Sequence, residues 1–115
     1  MEDRNLVLLV VDALRKDHLS CYGYDRKTTP FLDKFAEKNT KLDNFWSTSS
    51  HTREAVPSML TGYYPEKAVN QSYEISESSL QQEMSQKSAA FHSNPFISRA
   101  YGYQEGFDRF HDGLN

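Results

Sequence analysis

Asn5, Leu6, Val7, Leu8, Leu9, Val10 and Val11 form a segment that is apolar throughout after its first residue and rich in β-branched side chains. A strand with one wet face alternates apolar and polar residues. An unbroken run is instead the pattern of a strand buried on both faces, as in a parallel sheet covered by helices. The run ends on Asp12. A carboxylate there stands at the carboxyl edge of the sheet, where open α/β folds place their ligands, or else caps the next turn.

The chain beyond it alternates helix and strand signals. Thr28-Thr29-Pro30 is a helix start with Thr29 as N-cap and Pro30 at the first helical position, followed by Phe31, Leu32, Phe35 and Ala36 at helical spacing up to about Asn39. Leu42, Phe45 and Trp46 suggest a second extended segment, closed by the hydroxyl-rich run Ser47 to Ser50. Arg53 to Leu60 has a helical pattern that Pro57 disturbs, so that Pro57 is an alternative start, and Gly62 suits a left-handed cap at its end. Residues 66–79 are polar and loop-like. Leu80 and Met84 mark a short amphipathic helix that Ser76 or Ser79 caps, and Ser88 to Phe91 is a third strand candidate. Beyond Asn94, aromatic residues interleaved with glycine and charge predict irregular chain packed onto another surface. No repeat or second domain is visible, and residues 1–115 are expected to be a single, incomplete domain.

With 115 residues, 37% apolar and 25% charged, the chain is an ordinary soluble composition with a small core. Its net charge of -3 is scattered, which argues against nucleic acid as a partner and against a polybasic membrane anchor. The longest apolar run falls far short of the roughly 20 residues of a membrane span. Glu2, Asp3 and Arg4 before it do not make the basic flank of a secretory signal. The expectation is a cytoplasmic protein, and the single Cys21 is compatible with a reducing compartment.

Val10 through Tyr24 reads Val-Val-Asp-Ala-Leu-Arg-Lys-Asp-His-Leu-Ser-Cys-Tyr-Gly-Tyr and is followed by Thr-Thr-Pro at 28–30. Leu60-Thr61-Gly62 with Pro65, and Gly106-Phe107-Asp108-x-Phe110, follow in order. Together these motifs resemble the N-terminal portion of the sulfatase family, a branch of the alkaline-phosphatase-like hydrolases. The resemblance implies an α/β fold, a partial doubly wound and mainly parallel sheet with flanking helices. It also implies a metal-binding Asp12 and a nucleophile ten residues before Gly62, at Thr52. A hydroxyl at a positive helix end is well placed to attack and hold an anionic ester. A metal bound by Asp12 and Thr52 would make that hydroxyl an alkoxide. Read without the resemblance, Thr52 is a helix N-cap. Arg53 is an oxyanion clamp or a solvated helix-start residue.

The departures from the family pattern carry information too. Thr52 replaces the Cys or Ser that sulfatases convert to formylglycine, so that modification is not expected. The tandem Asp-Asp is Asp12-Ala13, the Arg expected four residues after the nucleophile is Val56, and the Lys and His of the later motif fall on Ser93 and Pro95. These changes favour phosphate or phosphonate esters over sulfate. His51 is a proton shuttle or, on an extended segment, a residue facing away from Thr52. His18 is expected to be structural, and His111-Asp112-Gly113 has the wrong order for a metal motif. The chain is therefore expected to act on a small anionic ester with a divalent ion (calcium, magnesium, manganese or zinc), and to be inactive alone for want of further ligands. The alternative is a non-catalytic remnant that binds anions or serves as an interaction module. Self-association, or a complementing downstream segment, is the expected protein partner.

Overall fold

The computed structural model describes residues 4–113. The chain divides into two compact units, Met1–Phe45 and Trp46–Asn115.

In the first unit the Asn5–Val11 run is not a strand. This corrects the expectation from its composition. A strand has no hydrogen bonds of its own and exists only beside a neighbour, and among the described residues no strand pairs with this one. Its side chains consequently face solvent, with Val7 at 85% and Leu9 at 80% exposure. Asp12 and Ala13 make a turn, and Ala13 has the left-handed φ of 56°. Two short 3-10 turns, Lys16–His18 and Ser20–Tyr22, then lead into Gly23. Helix α1, Pro30–Lys38, has Thr29 as N-cap and Asn39 as C-cap, as the Thr-Pro signal requires. Ser20 Oγ ties the turn to this helix by donating to the Asp33 carboxylate at 2.7 Å, and it lies 3.2 Å from Thr29 Oγ1. Lys16 Nζ and Lys41 Nζ each lie 4.8 Å from the centroid of the Tyr22 ring, whose hydroxyl donates to the Leu42 carbonyl. His18 pairs with Asp17 at 2.9 Å and lies 5.0 Å from the Tyr24 ring. No residue of α1 is buried. The Leu42–Trp46 segment is likewise not a strand, and Phe45 and Trp46 are exposed.

The second unit holds the core. Helix α2, Thr52–Thr61, packs against α3, Pro65–Ala68, against α4, Leu80–Glu83, and against a 3-10 turn at Pro95–Ile97. Pro57 lies inside α2 and is fully buried, so it does not start the helix. It has no N–H for the Arg53 carbonyl. Around it, Ser58 Oγ donates to Glu54 O at 2.9 Å and Thr61 Oγ1 to Pro57 O at 2.8 Å. Gly62, at φ 75°, closes the helix with its N–H on Ser58 O, a conformation that a Cβ would make costly. Ser79 caps α4, where Gln82 reaches back to accept from the Ser79 N–H at 2.8 Å.

Strand β1, Ala89–Phe91, appears where expected and pairs in parallel with β2, Arg109–His111, with Ala90 opposite Phe110. The expected irregular tail thus contains a strand. The Gly-Phe-Asp-x-Phe motif builds it: Asp108 accepts from the Ser88 N–H at 2.8 Å, Ser88 Oγ donates to Gly106 O, and Phe110 enters the core. The architecture is α/β with a two-stranded parallel sheet. Among the described residues no helix is long and apolar enough to cross a membrane.

Candidate active site

Thr52 is the first residue of α2 and half-buried. The N-cap is His51, not Thr52, and its carbonyl receives the N–H groups of Glu54 at 3.2 Å and Ala55 at 2.9 Å. The hydroxyl run before the helix explains this start. Ser49 Oγ accepts from the His51 N–H at 3.2 Å and donates to the Glu54 carboxylate, tying the approaching chain to the first turn. Thr52 is thereby held at the positive end of a ten-residue helix. The His51 ring is exposed and pairs with Ser50 Oγ at 3.2 Å.

Arg53 shares this first turn. Its guanidinium carbon lies 4.2 Å from the Phe96 ring centroid, 5.1 Å from that of Tyr73 and 5.9 Å from that of Tyr101. The aromatic tail therefore packs on the start of α2. The tail rings Phe96 and Tyr101 pack onto another surface as expected, but sequence reasoning did not identify Arg53 as their partner and missed Tyr73, which lies in a polar loop segment. The only signal was the density of aromatic residues itself.

Asp12 belongs to the first unit, whereas Thr52 and Arg53 belong to the second. Asp12 is exposed and follows the unpaired apolar run. Among the described residues no group of three or more His, Cys, Asp or Glu side chains is arranged to hold a metal ion. One carboxylate and one hydroxyl fall short of the four ligands of a zinc site or the six to eight oxygens of a calcium site. Among the described residues, the donors present do not by themselves fit a resident metal. His111 stacks on Phe91 at 5.6 Å, and Asp112 lies 4.0 Å from Arg99 Nε.

Two buried groups stand apart from this turn. Burial pushes the Tyr103 hydroxyl up to about 12, and it has no hydrogen-bond partner among the described residues. Burial also lowers the His92 pKa, against the opposing charge of Asp112; its Nδ1 accepts from the Asn94 N–H and its Nε2 is unpartnered among the described residues.

The family model for sulfatases matches residues 4–115, nearly the whole chain. The chain belongs to the sulfatase family. Among curated proteins, this sulfatase-family chain is 32% identical over 66 residues to an N-acetylgalactosamine-6-O-sulfatase of Bacteroides thetaiotaomicron, a match covering 57% of the chain and 13% of that relative. Human arylsulfatase H and human arylsulfatase A are each 34% identical to it over 61 residues, covering 53% of the chain and 11% and 12% of the relatives. The matched part is thus a small fraction of these enzymes' own length. No solved structure gives a significant match. Sulfate-ester hydrolysis is the chemistry this family carries.

Proposed function

We propose that this chain carries the nucleophile-bearing part of a sulfatase-family ester hydrolase or transferase, and that it does not complete the reaction alone. The observation that carries this is Thr52 at the first position of α2, ten residues before Gly62, with Arg53 beside it. A hydroxyl at a helix N-terminus, with an arginine as the next residue of the same turn, suits attack on a tetrahedral anionic ester. Thr52 takes the nucleophile role in this proposal and Arg53 that of the oxyanion partner. Because Thr is not the precursor of formylglycine, phosphate or phosphonate esters are the favoured substrates. In this proposal Asp12 supplies one ligand toward a divalent ion, and a complementing segment would have to supply the others. The doubly wound sheet belongs to the same proposal, since the Leu6–Val11 run has the composition of an inner strand.

The test is hydrolysis of 4-nitrophenyl sulfate, 4-nitrophenyl phosphate and bis(4-nitrophenyl) phosphate with calcium, magnesium, manganese or zinc. The chain alone is expected to give no turnover above buffer. A chimera carrying it in place of the matching segment of human arylsulfatase A is expected to turn over a phosphate ester, and Thr52→Ala to abolish this. Turnover by the isolated chain would overturn the claim of inactivity. Turnover in the chimera that survives Thr52→Ala would remove Thr52 as nucleophile. The competing role, a non-catalytic interaction module, is favoured by the exposed Leu6–Val11 run and predicts no turnover in either form.

A further inference from the structure

We infer that Tyr73, Phe96 and Tyr101 are positioning residues that hold the Arg53 guanidinium as a receptor for a tetrahedral oxyanion beside Thr52. The inference rests on the proposed site at the start of α2 and adds to it the groups that set the arginine in place.

Three features support it. The rings come from separate segments, and each is fixed by bonds that do not involve Arg53. Phe96 donates its N–H to Asn94 Oδ1 at 2.9 Å. Tyr101 donates its own to Ser98 O at 3.0 Å and receives the Ile75 N–H on its carbonyl at 3.1 Å. Tyr73 sits in the loop of a hairpin closed by the Val69–Ile75 bridge, where Asn70 Oδ1 accepts from Ser72 N–H at 2.8 Å and Glu74 N–H at 3.0 Å. This loop keeps Tyr73 at a φ of 62°, which a bulky residue rarely adopts. Backbone strain of this kind persists where surrounding bonds over-determine it, and here it accompanies a ring placed 5.1 Å from the guanidinium.

Among the described residues no carboxylate or carbonyl receives a hydrogen bond from Arg53. The adjacent acid, Glu54, is engaged with Ser49, and Glu74, next to the Tyr73 ring residue, with Asn70 at 2.7 Å. Contact with ring faces favours the cation and restricts it but uses no N–H donor. A half-buried arginine restricted in this way offers its planar donor set to an incoming anion and loses little freedom in doing so. The positive end of α2 adds to the same field.

The test uses the full chain and inorganic sulfate or phosphate as probe. Nitrogen-15 NMR of the Arg53 Nε–H group is followed through titration at constant ionic strength, with chloride as control. A saturable shift with sulfate and phosphate, and none with chloride, is expected, and Arg53→Ala removes saturable binding. Phe96→Leu and Tyr73→Leu each raise Kd about fivefold, whereas Tyr73→Phe, which keeps the ring, stays within about twofold of the parent. If Phe96→Leu loses the native amide spectrum, Tyr73→Leu carries the comparison. No saturable shift, or ring-deleted variants that keep both the native spectrum and the parent Kd, would overturn the inference. The titration needs neither the chimera nor turnover, so it reads anion binding separately from the proposed reaction. Anion binding that persists while the chimera ignores Thr52→Ala would remove the nucleophile and leave the aromatic cage standing.

Discussion

Tyr103 places a phenol at 2% exposure with no partner for its hydroxyl among the described residues. Burial disfavours the phenolate, so the folded chain holds this proton up to about 12, against 10.0 in an unfolded chain. The raised folded pKa sets the sign: the contribution to stability is complete below pH 10 and is lost as pH rises toward 12. The span corresponds to on the order of 2 to 3 kcal/mol. Tyr103→Phe is expected to flatten that alkaline loss in urea melts. It should also stabilise the chain near neutral pH by about 1 kcal/mol, because it removes an unpaired buried hydroxyl. His92 has the opposite sense. Burial holds its folded pKa below the ordinary imidazole value, so stability is full above that value and falls as acid drives protonation. His92→Phe should reduce the acid-side slope of a denaturation series. Asp112 remains as the neighbouring charge in that variant and accounts for any residual slope.

At the level of elements, α4 is the shortest helix whose start has a full local explanation. Gln82→Ala would leave the Ser79 N–H and hydroxyl, buried at 2% exposure, without their acceptor, and is expected to cost about 1 to 2 kcal/mol by chemical denaturation. The elements readable in the sequence were those specified by adjacent residues: Thr29-Pro30 starting α1, Gly62 ending α2, a Ser76 or Ser79 cap on α4 that falls on Ser79, and a strand over Ser88 to Phe91 that begins one residue later. What sequence did not reveal depends on distant partners. Pro57 continues α2 because burial against the rest of its unit outweighs the lost hydrogen bond. Arg109–His111 is a strand because Ser88 and Asp108 clamp it against β1. The Asn5–Val11 run shows the reverse, a strand pattern without a neighbour. At the candidate site, motif spacing located Thr52 on its helix turn. The aromatic surroundings of Arg53 arise from loops that share no spacing rule with it.

For the molecule as a whole, the decisive fact is where its apolar surface lies. Leu6 to Val11 are all at least half exposed, and Phe31, Phe35, Phe45 and Trp46 are each more than half exposed. Apolar exposure on this scale marks surfaces that associate. Sedimentation velocity is expected to show mass rising with concentration, and Val7→Ser together with Leu9→Ser to shift the distribution toward monomer. A distribution unchanged by those substitutions would place the association surface elsewhere. The family match covers both units, and the curated relatives are far longer than the part of them matched here.

The run from Leu6 to Val11 has a further consequence, for the fate of the chain over time. Six consecutive residues without charge, proline or glycine, half of them valine, have the make-up of a steric-zipper spine. With no strand pairing it among the described residues, such a segment needs no strand separation there before copies stack in register. The flanking Arg4 and Asp12 then act as gatekeepers, whose charges would repeat at the spacing of the stacked strands and repel their like. A segment suited by composition to the middle of a sheet becomes, where no sheet surrounds it, the point from which a fibril can grow.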